Sequence, residues 1–173
     1  HPEIETHLVI SPSTRQTIRL ETDYNAQDVE QLAGEVHGIG NIAASIASGS
    51  FKTIGMVIIP CSMKSLSGIA HSFSDNLLLR AADVVLKEQR KLVLVTRETP
   101  LHLGHLRLMV QAVEMGAVIM PPMPAFYHRP KTILDIVDQT VNRVLDQFDI
   151  ELDHDLFQRW QGANIDPKTE QTE

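Results

Sequence analysis

The stretch GMVIIPCSMKSLSG, residues 55–68, decides the fold. Its first half is a continuous apolar run rather than an alternation. That pattern predicts a strand buried on both faces over Gly55–Pro60, and favours parallel pairing. Its second half places three serines, a lysine and a glycine directly after the strand. Ligands of open parallel sheets sit beyond the carboxyl ends of the strands.

Similar runs flank it. Thr6–Ile10, Lys91–Val95 (KLVLV) and Ala117–Met120 read as further strands. Arg15–Glu21, Asp28–Ala33, Leu101–Met115 and Lys131–Phe148 read as helices, with Gly116 as a stop signal. Ile133, Ile136, Val137, Val141, Val144 and Phe148 trace the expected buried face of the last helix. Asp75–Arg90 is the clearest long helix, with Asp75 as its expected cap. It is apolar on most sides, so other chain or another subunit must cover it. Arg80, Asp83 and Lys87 share one stripe of it by three- and four-residue spacing. His37–Gly49 is rich in glycine and serine and reads as mixed loop and helix.

Strands separated by helices indicate an α/β fold with helices on both faces of a mainly parallel sheet. Three polar loops then follow strand ends: Ser11–Arg15, Cys61–Ser67 and Thr96–Pro100. A stiff loop, PPMPAFYHRPK (residues 121–131), follows the fourth strand.

The length of 173 residues suits one domain, taken as 1–162, followed by a polar tail over 163–173. A net charge of -7 without a basic tract argues against an extended nucleic-acid surface. No apolar run approaches the roughly 20 residues needed to span a bilayer, so no membrane insertion is expected. One cysteine, Cys61, allows no intrachain disulfide and fits a reducing, cytoplasmic compartment.

Individual residues leave alternatives open. Residues 62–68 suit a phosphate or planar heterocycle, or else form a polar turn into a helix. Neither GxxxxGK[ST] nor GxGxxG is present. Arg97 and Glu98 are either a surface ion pair or an anion ligand beside a proton-transfer group. Arg143 follows Ile136 by seven residues, within about 20 degrees on a helical wheel. It either snorkels at the core edge or meets an anion. Tyr127 offers a phenol to the same anion or simply packs. Trp160 covers a site or anchors the last segment. Cys61 has no evident activator and reads as a buried wall residue. His102 and His105 do not make a convincing metal motif.

Two segments carry a family resemblance. GSFKTIGMVIIPCSMKSLSGIAHSFSDNLLLRAADVVLKEQRKLVLVTRETPLHLGHLRLM and PPMPAFYHRPKTILDIVDQTVNRVLDQF resemble the bacterial UbiX/Pad1 flavin prenyltransferases over about Glu5–Gly162. The resemblance implies a flavodoxin-like (Rossmann-like) three-layer α/β sandwich, assembled as a homo-dodecamer. It implies transfer of a dimethylallyl group from dimethylallyl monophosphate to reduced FMN. The product, prenylated FMN, would serve a separate UbiD-type decarboxylase. By the same resemblance Ser11, Ser62, Met63, Lys64, Ser65 and Arg97 contact the flavin. Lys87, Tyr127 and Arg143 contact the prenyl phosphate, with Lys87 reaching a neighbouring subunit's site, and Glu98 transfers protons. No DDxxD pattern is present, so no metal is expected for the reaction.

Family members open with a strand and a loop resembling GxSGAS, and nothing here matches that loop. The expectation is an N-terminal piece outside the present chain. Two other readings compete. One is an FMN-dependent oxidative decarboxylase of peptide-terminal cysteine, and the other is a noncatalytic FMN-binding protein.

Overall fold

The structure is a computed structural model that describes residues 3–162. The expected tail over 163–173 lies outside the described residues. The chain divides into two compact units, His1–Pro122 and Met123–Glu173.

The first unit runs β1 (His7–Val9), α1 (Pro12–Glu21), α2 (Ala26–Glu30), β2 (Glu35–His37), a 3-10 turn (Ser45–Ala47), β3 (Gly55–Cys61), α3 (Met63–Ala70), α4 (Leu77–Lys87), β4 (Lys91–Thr96), α5 (Leu103–Glu114) and β5 (Val118–Ile119). Every strand pair is parallel. This is the mainly parallel α/β fold that the apolar runs predicted, in the flavodoxin-like form that the resemblance implied.

The strands form two ladders rather than one continuous sheet: β1–β2, and β3–β4–β5. β4 is the centre of the larger ladder, and Leu92, Val93, Leu94 and Val95 are all buried. That burial on both faces is why KLVLV shows no alternation. The β3–β4 register runs from Gly55↔Lys91 to Cys61↔Thr96, with an irregularity between Ile58 and Cys61. β2 ends on His37, the first residue of the segment read as mixed loop and helix, and its Glu35 and Val36 fall in no predicted element. Its three residues are too short to show a period.

Two of the polar loops prove to be helix starts. Ser11 caps α1, accepting from the Thr14 amide at 3.1 Å. Ser62 caps α3, accepting from the Ser65 amide at 3.2 Å. A serine oxygen satisfies an amide that the first turn leaves unpaired, so hydroxyl-rich sequence after a strand begins a helix.

α3 and α4 approach closely at Gly68, where an added Cβ would sit 2.7 Å from Leu79 Cδ1. Their contact joins Leu66, Ile69, Leu79, Ala82 and Val85 to Leu92, Leu94 and Ala112 in one core. The cap of α4 is Asn76, not Asp75; its side-chain oxygen accepts from the Leu79 amide at 3.1 Å. Asp75 instead accepts from the Asn76 side chain at 2.6 Å. Beyond α4, Arg90 donates to the carbonyls of Phe51 and Gly49 at 2.7 and 2.8 Å. It thereby fixes the segment before β3. Gly116 ends α5 at φ +102°, where a side chain would be strained.

In the second unit, a capping box opens α6 (Ile133–Asp146): Thr132 accepts from the Asp135 amide, and Asp135 accepts from the Thr132 amide. The Lys131 amide, at 2.7 Å, and then the Thr132 amide donate to the Asp135 carboxylate and hold it below the usual range. The expected apolar face is only partly buried. Val144 is buried, but Ile133 and Val137 are 82% and 48% exposed. The buried positions instead include Gln139 and Asn142. Asn142 accepts from the Leu156 amide at 2.8 Å, which docks the segment following α6. No described helix is long and apolar enough to cross a membrane.

Candidate functional site

The carboxyl ends of β3 and β4 carry the first group of polar residues. Cys61 and Thr96 are partners in register, and the Arg97 amide donates to the Cys61 carbonyl at 3.3 Å. Parallel pairing therefore sets Ser62 and Arg97 side by side as the first residues past adjacent strands. Ser62, Met63, Lys64 and Ser65 are the cap and first turn of α3. The hydroxyls of Ser62 and Ser65 lie 3.2 Å apart. The first amides of a helix lack intrahelical acceptors, so this turn presents N–H donors with a partial positive charge.

Arg97 and Glu98 are both exposed, and neither has a salt-bridge partner among the described residues. The surface ion pair is therefore not formed. Thr96 was not singled out in the sequence, yet its hydroxyl oxygen is buried at this strand end without a hydrogen-bond partner. A buried hydroxyl without a partner is uncommon in a folded protein. An acceptor-rich heterocycle suits the donors gathered here, so these residues fit a flavin. Cys61 is inert by contrast: burial pushes its thiol up to about 12. It forms wall, as its sequence context indicated.

Lys64 also lines an open cleft of about 480 Å³ with Ser67, Gly68, His71, Phe73, Asp75 and Leu79. That cleft does not include Ser62, Ser65 or Arg97. Ser11 bonds within its own helix start, to the Ser13 and Thr14 hydroxyls at 3.0 and 2.8 Å. No described hydrogen bond joins it to α3.

Lys87 stands apart for a topological reason. It ends α4, and β4 begins four residues later at Lys91. Lys87 therefore lies near the amino end of β4, whereas Arg97 follows its carboxyl end. Six residues of strand separate these ends by roughly 20 Å. The lysine pairs with Glu88 and holds that carboxyl below its ordinary range.

In the second unit, α6 gathers the other two predicted residues. The Gln139 side-chain amide donates to the Tyr127 hydroxyl oxygen at 3.3 Å. The phenolic proton remains free to be donated elsewhere. Arg143 is one turn beyond Gln139, on the same side of α6. It pairs with Asp146 at 2.7 Å, and Arg159 grips both oxygens of that carboxylate at 2.8 and 3.0 Å. Arg159, then Arg143, hold Asp146 below the usual carboxylate range. With Asp146 shared between two guanidinium groups, Arg143 keeps further N–H donors for an anion.

Tyr127 is also edge-on to Phe157 and Trp160, at 6.4 and 6.3 Å between ring centroids. These contacts order the proline-rich loop, and they place Trp160 beside a candidate site residue.

A family model described as Flavoprotein matches residues 28–145. The chain is 68% identical over 161 residues to the flavin prenyltransferase UbiX of Escherichia coli strain K12, covering 93% of this chain and 85% of the relative. A crystal structure of AnUbiX (PadA1) in complex with FMN and dimethylallyl pyrophosphate superposes with a TM-score of 0.90 and 51% identity, over 94% of this chain and 85% of that one. A dodecameric FMN-dependent UbiX-like decarboxylase from Escherichia coli O157:H7 gives 0.89 and 55%, over 93% and 86%. A peptidyl-cysteine decarboxylase shares the fold alone, at 17% identity and a TM-score of 0.54 over 83% and 80%. The parallel sheet, the serine-capped turn beside Arg97 and these similarities converge: the chain belongs to the UbiX family of flavin prenyltransferases.

Proposed function

We propose that this protein transfers a dimethylallyl group from dimethylallyl monophosphate to reduced FMN, yielding prenylated FMN. The observation that carries the reading is the strand-end turn, where the capped start of α3 and Arg97 sit together at adjacent parallel strands. The N–H groups of Met63 and Lys64, the hydroxyls of Ser62 and Ser65, and Arg97 would hold and orient the flavin, with Ser11 contributing from α1. When bound, reduced FMN supplies the nucleophile.

The allylic C–O bond breaks with its electron pair leaving on phosphate, so negative charge grows on the departing oxygens. Arg143 and the Tyr127 hydroxyl, both steadied by α6, stabilise that charge. Glu98 carries the protons that move during the transfer. A site sealed by neighbouring subunits would keep water from capturing the allylic carbon.

Lys87 also binds the phosphate, but in a neighbouring subunit's site. The separation between the ends of β4 supports that reading. The uncovered Ile133 and Val137 of α6 support a homo-oligomer, and the dodecameric relative points to its size. We read residues 1–162 as one flavoprotein domain, since the Flavoprotein match spans both compact units. The single buried cysteine fits a cytoplasmic setting. The product's chemistry fits delivery to a UbiD-type decarboxylase.

Anaerobic incubation with reduced FMN and dimethylallyl monophosphate, then mass spectrometry of the extracted flavin, tests the reaction. Addition of one C5H8 unit is expected. Unmodified flavin from assembled, FMN-loaded protein would overturn the assignment, and turnover of a cysteine-terminated peptide would replace it. A parallel arm with the pyrophosphate distinguishes the two allylic donors. Glu98→Gln should retain flavin and slow transfer about 100-fold or more; an unchanged rate would remove Glu98 from the chemistry.

A further inference from the structure

The β1–β2 ladder joins three metal-capable side chains, none of which belongs to the flavin or phosphate sets. Parallel register aligns His7 with Glu35 and Val9 with His37. Alternation along β2 puts Glu35 and His37 on one face. There His7 Nδ1 lies 3.0 Å from His37 Nε2 and 3.4 Å from one Glu35 oxygen. The other Glu35 oxygen is 3.6 Å from His37 Nδ1. One ligand atom from each residue falls within 4.8 Å of the other two. His37 is 5% exposed. Phe51 packs edge-on to His7 at 5.1 Å and closes one side.

Two imidazole nitrogens 3.0 Å apart cannot both turn lone pairs toward each other without a proton or a cation between them. A tetrahedral zinc ion with N bonds of about 2.05 Å sets its nitrogens about 3.3 Å apart, so it replaces the shared proton only as both rings, here head-on with centroids 5.3 Å apart and planes 8° apart, turn toward Glu35. Two imidazoles and a carboxylate form a ligand set suited to zinc and its neighbours. Glu35 is half exposed, so solvent can complete the coordination. We propose that His7, His37 and Glu35 bind one divalent transition-metal ion of the zinc type per chain. The site is built by strand pairing and is separate from prenyl transfer, for which no metal is invoked.

Cobalt(II) added to the chelator-treated, assembled protein reports the geometry directly. The expected result is one equivalent per chain, with intense visible d–d bands that zinc abolishes by displacement. His37→Gln should remove the bands. Glu35→Gln alters a half-exposed side chain, so it tests the site without risking the fold, and it should weaken binding at least about 10-fold. His102→Gln removes one member of the other close histidine pair, whose rings lie 3.6 Å apart, and should change nothing. Absence of stoichiometric binding would overturn the proposal. So would binding that survives Glu35→Gln and His37→Gln but disappears with His102→Gln.

Discussion

α4 and α6 are both helices whose sequences demand a cover, but they find it differently. α4 buries Leu77, Leu79, Ala81, Ala82, Val84 and Val85 within its own chain. α6 leaves Ile133, Leu134 and Val137 exposed, and buries Gln139 and Asn142 instead. Apolar periodicity thus identifies a face that must leave water. It does not say which chain supplies the cover. The two polar stripes differ in the same way. On α4, Arg80 pairs with Asp83 at 2.8 Å and reaches the Ala47 carbonyl at 3.2 Å. On α6, Arg143 pairs with Asp146 at 2.7 Å, a carboxylate it shares with Arg159, and Gln139 donates to the Tyr127 hydroxyl at 3.3 Å.

The sharpest way to break this contrast is a single substitution on the apolar face of each helix. Leu77→Ala removes a fully buried side chain and should cost about 2–5 kcal/mol in denaturant unfolding. Ile133→Asp should leave far-UV circular dichroism intact while shifting sedimentation toward smaller species. Equal loss of fold in both variants would erase the distinction between a self-covered and a partner-covered helix.

A smaller effect sharpens the functional side. Arg143→Ala should weaken prenyl-phosphate binding about tenfold, a change of about 1.4 kcal/mol, while FMN affinity stays constant. Parallel titrations of the two ligands would show this, and an unchanged prenyl-phosphate affinity would release Arg143 from the site.

How much of this could be read in the sequence depended on range. β1, β3, β4 and β5 were legible as contiguous apolar runs, but only β4 is buried nearly throughout; β3, expected to be buried on both faces, leaves Val57 and Ile59 exposed in this chain. β2 was not, because its three residues Glu35–His37 adjoin glycines that read as loop. Residues 62–68 read either as a ligand-binding loop or as a polar turn into a helix, and the structure shows that Ser62 caps a helix there; a capping serine and a turn serine look alike until the backbone is seen. Arg143 reads either as snorkelling at the core edge or as meeting an anion, and within the chain it pairs with Asp146. Asp146 lies one turn away, but Arg159 joins it only through the chain's return. The His7–His37 contact spans 30 residues and depends on parallel register, so no local spacing announces it.

The smallest expected effect concerns acid. Arg159 and Arg143 lower the Asp146 carboxyl in the folded chain. Its stabilisation is therefore present above the ordinary aspartate range and is lost as pH falls through the lowered value. Arg159→Ala should slightly reduce stability near neutrality. The difference from the parent protein should shrink on acidification, as pH-dependent denaturant melts would show. A difference independent of pH would assign the loss to packing alone.

The central claim is that one chain's Lys87 serves a site whose Glu98 belongs to another chain. Co-assembly of Lys87→Ala with Glu98→Gln tests it most directly, because each variant alone should be nearly inactive. With random mixing in equal amounts, about a quarter of the sites would combine an intact Lys87 with an intact Glu98. Prenyl transfer should therefore recover to about a quarter of the parent rate. Mixed oligomers no more active than either variant alone would contradict the account and confine each site to a single chain.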